Sequence, residues 1–142
     1  MPFNLDEFLP YRLSVAAAQI SRRFAALYAA EAGLTIPEWR VLAHLSQAAE
    51  VSVRDIHQRV NLDKSVVSRA ASRLEEAGYV GKSQHGTDKR LIALKLTPEG
   101  LVLMARLAPL AERFQEEILR ELGPDVDALT RALNKLTQGR EA

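Results

Sequence analysis

The chain has 142 residues, 47% of them hydrophobic, which is enough for one domain with its own core and too much for wholesale disorder. It contains no cysteine, which excludes disulfides, thiolate metal sites and a cysteine redox switch. The formal net charge of +1 hides an asymmetry: residues 54–97 carry nine basic and five acidic side chains, a net of +4, against −1 for residues 1–53 and −2 for residues 98–142. A basic block in mid-chain suits a phosphate-facing surface. The opening MPFNLDEFLPYR lacks the basic-then-apolar order of a signal peptide. No uncharged apolar run approaches the roughly 18 residues of a membrane span. A soluble, cytoplasmic protein with no membrane association is therefore expected.

In chain order, Phe8, Leu9, Leu13, Ala16, Ala17, Ile20, Phe24, Leu27 and Tyr28 recur at three- and four-residue steps. They predict a long helix over about residues 5–32, whose start Pro10 draws toward residue 9 and which Gly33 ends. That apolar stripe is too long for so small a domain to cover, so it needs a further helical surface, such as a second copy of the chain. Thr35-Ile36-Pro37-Glu38 opens a second helix ending near Ser46, with Trp39, Val41, Leu42 and Leu45 inward. Ser52, with Asp55 three residues on, caps a third. A turn at Asn61-Leu62 follows, and Asp63 is placed to cap a fourth helix from Lys64 to about Ala77. That helix buries Val67, Ala70, Ala71, Leu74 and Ala77, and turns Ser65, Ser68, Arg69, Ser72, Arg73 and Glu76 outward. Tyr79–Gln84 and Leu91–Leu96 read as a β-hairpin whose loop carries Gly86, Asp88, Lys89 and Arg90. Thr97-Pro98-Glu99 starts a fifth helix, which Pro109 should kink, and Gly123-Pro124 separates it from a sixth over about residues 125–137. Residues 137–142 are expected to fray. The fold class is mainly α (α+β), with six helices and one hairpin in a single domain.

Signatures of catalysis fail. G-x-S-x-G, G-x-x-x-x-G-K-[ST], H-E-x-x-H and G-x-G-x-x-G are all missing from the sequence, and His44, His57 and His85 lack metal-ligand spacing. No catalytic residue, metal site or cofactor is expected. The order helix, turn, helix, hairpin, with serines and arginines on the second helix, fits a DNA groove instead. Lys89 and Arg90 at the hairpin tip suit a minor groove.

The run from Val51 through Thr97-Pro98-Glu99-Gly100 resembles the MarR (multiple antibiotic resistance regulator) family. The pieces that carry the likeness are KSVVSRAASRLEEAGYV, the D-x-R motif Asp88-Lys89-Arg90, the LTPEG start of the fifth helix and the earlier IPEWRVLAHL. The resemblance implies a winged helix-turn-helix over about residues 35–97. It also implies dimerisation through helices at about 5–32 and 98–138. By position, Lys64, Ser65, Ser68 and Arg69 are then base or phosphate contacts in a major groove, with Arg73 further along the helix. Arg90 is the minor-groove residue, and Asp88 holds the wing through a charge-assisted bond. Arg73 admits a second reading, an ion pair with Asp88 or a nearby glutamate. Arg54 on the third helix is a candidate phosphate contact.

The family likeness further implies a small aromatic or anionic effector, an aromatic acid or its coenzyme A thioester, in a cleft between the dimerisation helices and the DNA-binding lobe. Tyr11, Arg12, Trp39 and Arg40 are the candidates, although Trp39 at helical spacing also fits a core position. The resulting expectation is a homodimeric repressor on a palindromic operator of double-stranded DNA, released by its effector. A helical interaction protein that does not bind DNA and a ligand-insensitive architectural DNA binder are the rival readings.

Overall fold

A computed structural model of the chain describes residues 2–48, 51–85 and 88–138; the side chains of Val53, Arg54, Gln84, His85 and residues 88–91 lie outside that description. The expected fraying of the C-terminal residues also lies mostly outside it. Among the described residues six α-helices and three strands follow in the order α1 (Leu9–Ala32), α2 (Ile36–Gln47), β1 (Val51–Ser52), α3 (Val53–Arg59), α4 (Lys64–Glu76), β2 (Val80–His85), β3 (Asp88–Leu96), α5 (Pro98–Leu122) and α6 (Val126–Thr137). Short 3-10 turns precede α1 and join α5 to α6.

Helix α1 starts at Leu9, where Pro10 draws it, and not at Leu5. Proline at its second position has no N–H to close a turn back onto Asp6, so the preceding residues form a separate 3-10 turn, Leu5–Glu7. At the other end Gly33 takes φ 68°, a left-handed cap that glycine adopts without strain. The second helix opens on a complete capping box. Thr35 Oγ1 accepts the Glu38 N–H at 3.4 Å, and Glu38 Oε1 accepts the Thr35 N–H at 2.8 Å.

The hairpin β2–β3 is antiparallel, pairing Val80 with Leu96 and Lys82 with Leu94, with an irregularity between Gln84 and His85. A third strand was not foreseen. Val51 and Ser52 pair with Leu94 and Ala93, giving the order β1-β3-β2. Two residues carry no periodicity to read, so only their pairing to β3 makes them a strand. This arrangement buries Ala93 as well as Leu94 and Leu96, where plain alternation predicts one wet face.

The core gathers residues from every layer of the winged lobe. Val41, Leu42 and Leu45 of α2 meet Ile56, Val67, Leu74, Leu94, Leu103 and Leu107, and each of these is at most 3% exposed. Full burial of such side chains is worth about 1.5–3 kcal/mol each. In α5, Leu103 and Leu107 enter this core, while Leu101 is 59% exposed. Pro109 does not end α5, which continues to Leu122. The carbonyl it leaves without a donor belongs to Ala105, on an exposed side of the helix where water can serve it.

Candidate nucleic-acid interface

The reading unit is built from α3, a tight turn and α4. Ser52 Oγ accepts the Asp55 N–H at 3.1 Å and so caps α3 as expected. Asn61 sits in the turn at φ 56°, the one left-handed non-glycine among the described residues, and asparagine tolerates that region better than most. Asp63 occupies the N-cap position of α4 but makes no side-chain bond to the first-turn amides, so the expected cap does not form. Those N–H groups are left for water or a ligand.

Helix α4 separates its two faces sharply. Val67, Ala70, Ala71 and Leu74 are buried, while Lys64, Ser65, Arg69, Ser72 and Arg73 are exposed. Ser68, expected on the outer face, is half-buried, and Ala77, expected inside, is exposed. The small alanines at 70 and 71 let α4 sit close to the elements beneath it, so the lobe presents the opposite face. Lys82 of β2 reaches back to α4, donating to Ser72 Oγ at 3.0 Å, with Glu75 Oε1 at 3.6 Å. The hairpin is thereby fixed beside α4. Asp88, Lys89 and Arg90, expected in the hairpin loop, instead form the start of β3, whose pairing with β2 extends the strand three residues earlier than alternation predicts. Their side chains, and that of Arg54 in the first turn of α3, lie outside the described residues, so their expected roles are not placed geometrically.

Arg73 is not simply a free cation of the outer face. Its Nε–H donates to Glu38 Oε2 at 2.7 Å, so the predicted ion pair is made with a glutamate of α2, 35 residues away. Glu38 is only 7% exposed. Burial alone pushes its carboxyl pKa up, but the Thr35 N–H and Arg73 outweigh that and hold it below the usual value. A T-x-x-E pattern signals the cap. Nothing local signals that the same carboxylate reaches α4.

The join between reading unit and long helices is also built from hydrogen bonds. Thr97 Oγ1 donates to the Gly78 carbonyl at 2.6 Å and accepts the Gly100 N–H at 3.0 Å, locking the start of α5 onto the α4–β2 turn.

The four effector candidates do not converge within one chain. Trp39 packs into an aromatic cluster, edge-on to Phe24 at 5.0 Å and stacked on Tyr28 at 5.5 Å, with Phe24 stacked on Phe114 at 5.2 Å. Arg40, the next residue, points to α3 and donates to the Val60 carbonyl at 3.5 Å. Tyr11 and Arg12 are exposed near the start of α1, about 20 Å along that helix from Phe24 at 1.5 Å per residue. Burial raises the Tyr28 phenol pKa, with Arg40 opposing it. Among the described residues no group of three His, Asp or Glu side chains is placed to hold a metal ion. Among them, too, no helix is long and apolar enough to cross a membrane.

A helix-turn-helix with an exposed, arginine-bearing second helix and an adjoining hairpin defines the winged helix-turn-helix class. The chain belongs to the MarR family. A family model described as "MarR family" matches residues 32–91. A MarR/EmrR family transcriptional regulator from Acinetobacter sp. ADP1 is 30% identical, with a TM-score of 0.83 over 94% of this chain and 95% of that one. BpsR of Bordetella bronchiseptica, whose DNA binding is regulated by 6-hydroxynicotinic acid, shares the fold at a TM-score of 0.82 over 98% of this chain and 99% of its own, with 23% identity. YdgJ of Bacillus subtilis (strain 168), an uncharacterized HTH-type transcriptional regulator, is 28% identical over 73% of this chain. That match spans 66% of YdgJ, and other curated relatives are spanned over 54% and 64% of their length.

Proposed function

We propose that the protein is a sequence-specific, DNA-binding transcription regulator that works as a homodimer. The observation that carries this reading is the outer face of α4, where Lys64, Ser65 and Arg69 stand exposed beside a hairpin anchored to the same helix by Lys82. Lysine and arginine supply salt-sensitive affinity for phosphates, and arginine and serine can also read base edges. Ser68 joins them from the edge of the face. Arg90, Lys89 and Asp88 serve the wing, and Arg54 meets phosphate from α3.

The dimer reading rests on apolar surface that one chain leaves uncovered. Phe3, Leu5, Phe8, Leu9 and Leu13 at the N-terminal end are 37–71% exposed, and Leu129, Leu133 and Leu136 of α6 are 39–52% exposed. Helix α6 has no buried residue at all. An amphipathic helix in that state needs a partner surface, and a two-fold copy supplies the same one in return. Two heads on a two-fold axis require an inverted-repeat operator with half-sites about 10 bp apart.

The regulator acts as a repressor released by a small aromatic acid or its coenzyme A thioester. The aromatic rings gathered at Trp39 suit stacking on such a ligand, and the effect of 6-hydroxynicotinic acid on BpsR is a precedent of that chemistry. Tyr11 and Arg12 belong to the same site only if the partner's first helix brings them there. The test is selection of the protein on random-sequence duplexes, followed by titration of phenolic acids and acyl thioesters into the complex. An enriched palindrome is the expected result, and its absence overturns the reading. Loss of the complex on adding an aromatic acid is expected for the effector.

A further inference from the structure

We infer that Glu38, a residue of α2 that does not itself face DNA, is a positioning residue for DNA recognition: it orients Arg73 so that the outer edge of the guanidinium meets a backbone phosphate. The inference rests on the reading of α4 as a DNA-facing helix.

The geometry carries it in three steps. First, Arg73 is engaged through Nε, at 2.7 Å from Glu38 Oε2. A guanidinium is planar, and a partner on the Nε side leaves the far edge, formed by the two terminal nitrogens, directed along the side chain and away from that partner. That far edge matches a phosphate bidentately. Second, the Arg73 side chain remains 48% exposed while that of Glu38 is 9% exposed, so the pair is buried at its acidic end and open at its basic end. The open basic end leaves the guanidinium accessible to a ligand. Third, Glu38 is itself immobilised, because its other oxygen closes the capping box at the Thr35 N–H, 2.8 Å away. The anchor is therefore the rigid first turn of α2. Arg73 follows Arg69 by four residues, on the same side of α4, which extends the basic stripe toward the helix end.

A free arginine surrenders rotamer freedom when it docks on a phosphate, and Glu38 removes that loss in advance. Glu38 also directly precedes Trp39 in α2, so a shift of this turn on effector binding would move Arg73 with it.

The experiment uses the full-length protein and a duplex selected by the wild type from a random pool. Binding is measured by fluorescence anisotropy across a potassium chloride series for wild type, Glu38→Gln, Glu38→Ala, Arg73→Ala and the double variant Glu38→Ala/Arg73→Ala. Glu38→Gln and Arg73→Ala are each expected to weaken binding about tenfold and to flatten the slope of log affinity against log salt by about 1.8, the loss of one phosphate contact from each of the two heads. The double variant is expected to be no flatter than Arg73→Ala alone. Circular dichroism melts identify any variant that fails to fold, and Glu38→Gln, which keeps the size and an acceptor oxygen, is the milder substitution. A wild-type slope in Glu38→Gln or Arg73→Ala, even with a lowered melting temperature, overturns the inference and leaves the pair as a strut. If the wild type selects no duplex, the DNA-binding reading itself falls, which is a different outcome.

Discussion

His44 Nε2 lies 3.0 Å from a terminal guanidinium nitrogen of Arg59, so the imidazole of α2 accepts a hydrogen bond from a cation of α3. Arginine has no acceptor to offer, and the contact therefore requires His44 to be neutral at Nε2. Burial, and next the charge of Arg59, lower the His44 pKa below 6.5. Arg40, one turn earlier on α2, adds a second cation at the same crossing through its bond to the Val60 carbonyl.

This contact predicts a pH dependence of stability. Above 6.5 the ring is neutral in both folded and unfolded chains and costs nothing. As pH falls below 6.5 the unfolded chain takes up the proton first, so folding stability drops until the lowered folded pKa is passed. Thermal melts at pH 7.5, 6.0 and 5.0 should show a larger loss for wild type than for His44→Gln. Equal losses in the two proteins would remove His44 as the cause.

Gly100 in the first turn of α5 is expected to tolerate no side chain. A Cβ there would run into the Tyr79 carbonyl oxygen, which is backbone and cannot swing aside. Gly100→Ala should cost about 1–3 kcal/mol by overpacking. Urea unfolding at constant m-value measures this, and an unchanged midpoint would contradict the packing described.

Leu133 stands in the middle of the exposed face of α6, at 43% exposure. A charge placed at the centre of the proposed dimer surface should separate the copies while leaving the core of each intact. Analytical ultracentrifugation of Leu133→Glu is expected to show a monomer where wild type is a dimer. DNA affinity should fall with it, because each head then binds a single half-site. A wild type that sediments as a monomer would remove the two-headed reader.

The two DNA elements should respond separately. Arg69→Ala removes a side chain from the exposed face of α4 and is expected to lower affinity about tenfold, relaxing base preference at one operator position if it reads a base edge. Arg90→Glu should lower affinity across all sequences and flatten the salt slope. Unchanged affinity and slope in Arg90→Glu would mean that the hairpin is not a DNA element.

What the sequence by itself determined is everything with a period or a local signature. The 3.6-residue recurrence of Val67, Ala70, Ala71 and Leu74 located α4 and its outward face. Pro10, Gly33, Ser52 and Thr97 marked helix ends, because their backbone preferences act within a turn. The hairpin followed from alternating residues around a polar loop. Tertiary structure alone decided what depends on partners distant in the chain. The two-residue β1 exists only through Leu94 and Ala93. Asp63 had the right residue type for a cap, yet its side chain forms none. Trp39 and Arg40, adjacent in sequence, diverge to an aromatic cluster and to α3, since successive residues on a helix point about 100° apart. Arg73 offered a phosphate contact or an ion pair as readings of one side chain. Folding α2 across α4 brought in Glu38, and its buried carboxylate needs that cation as a partner.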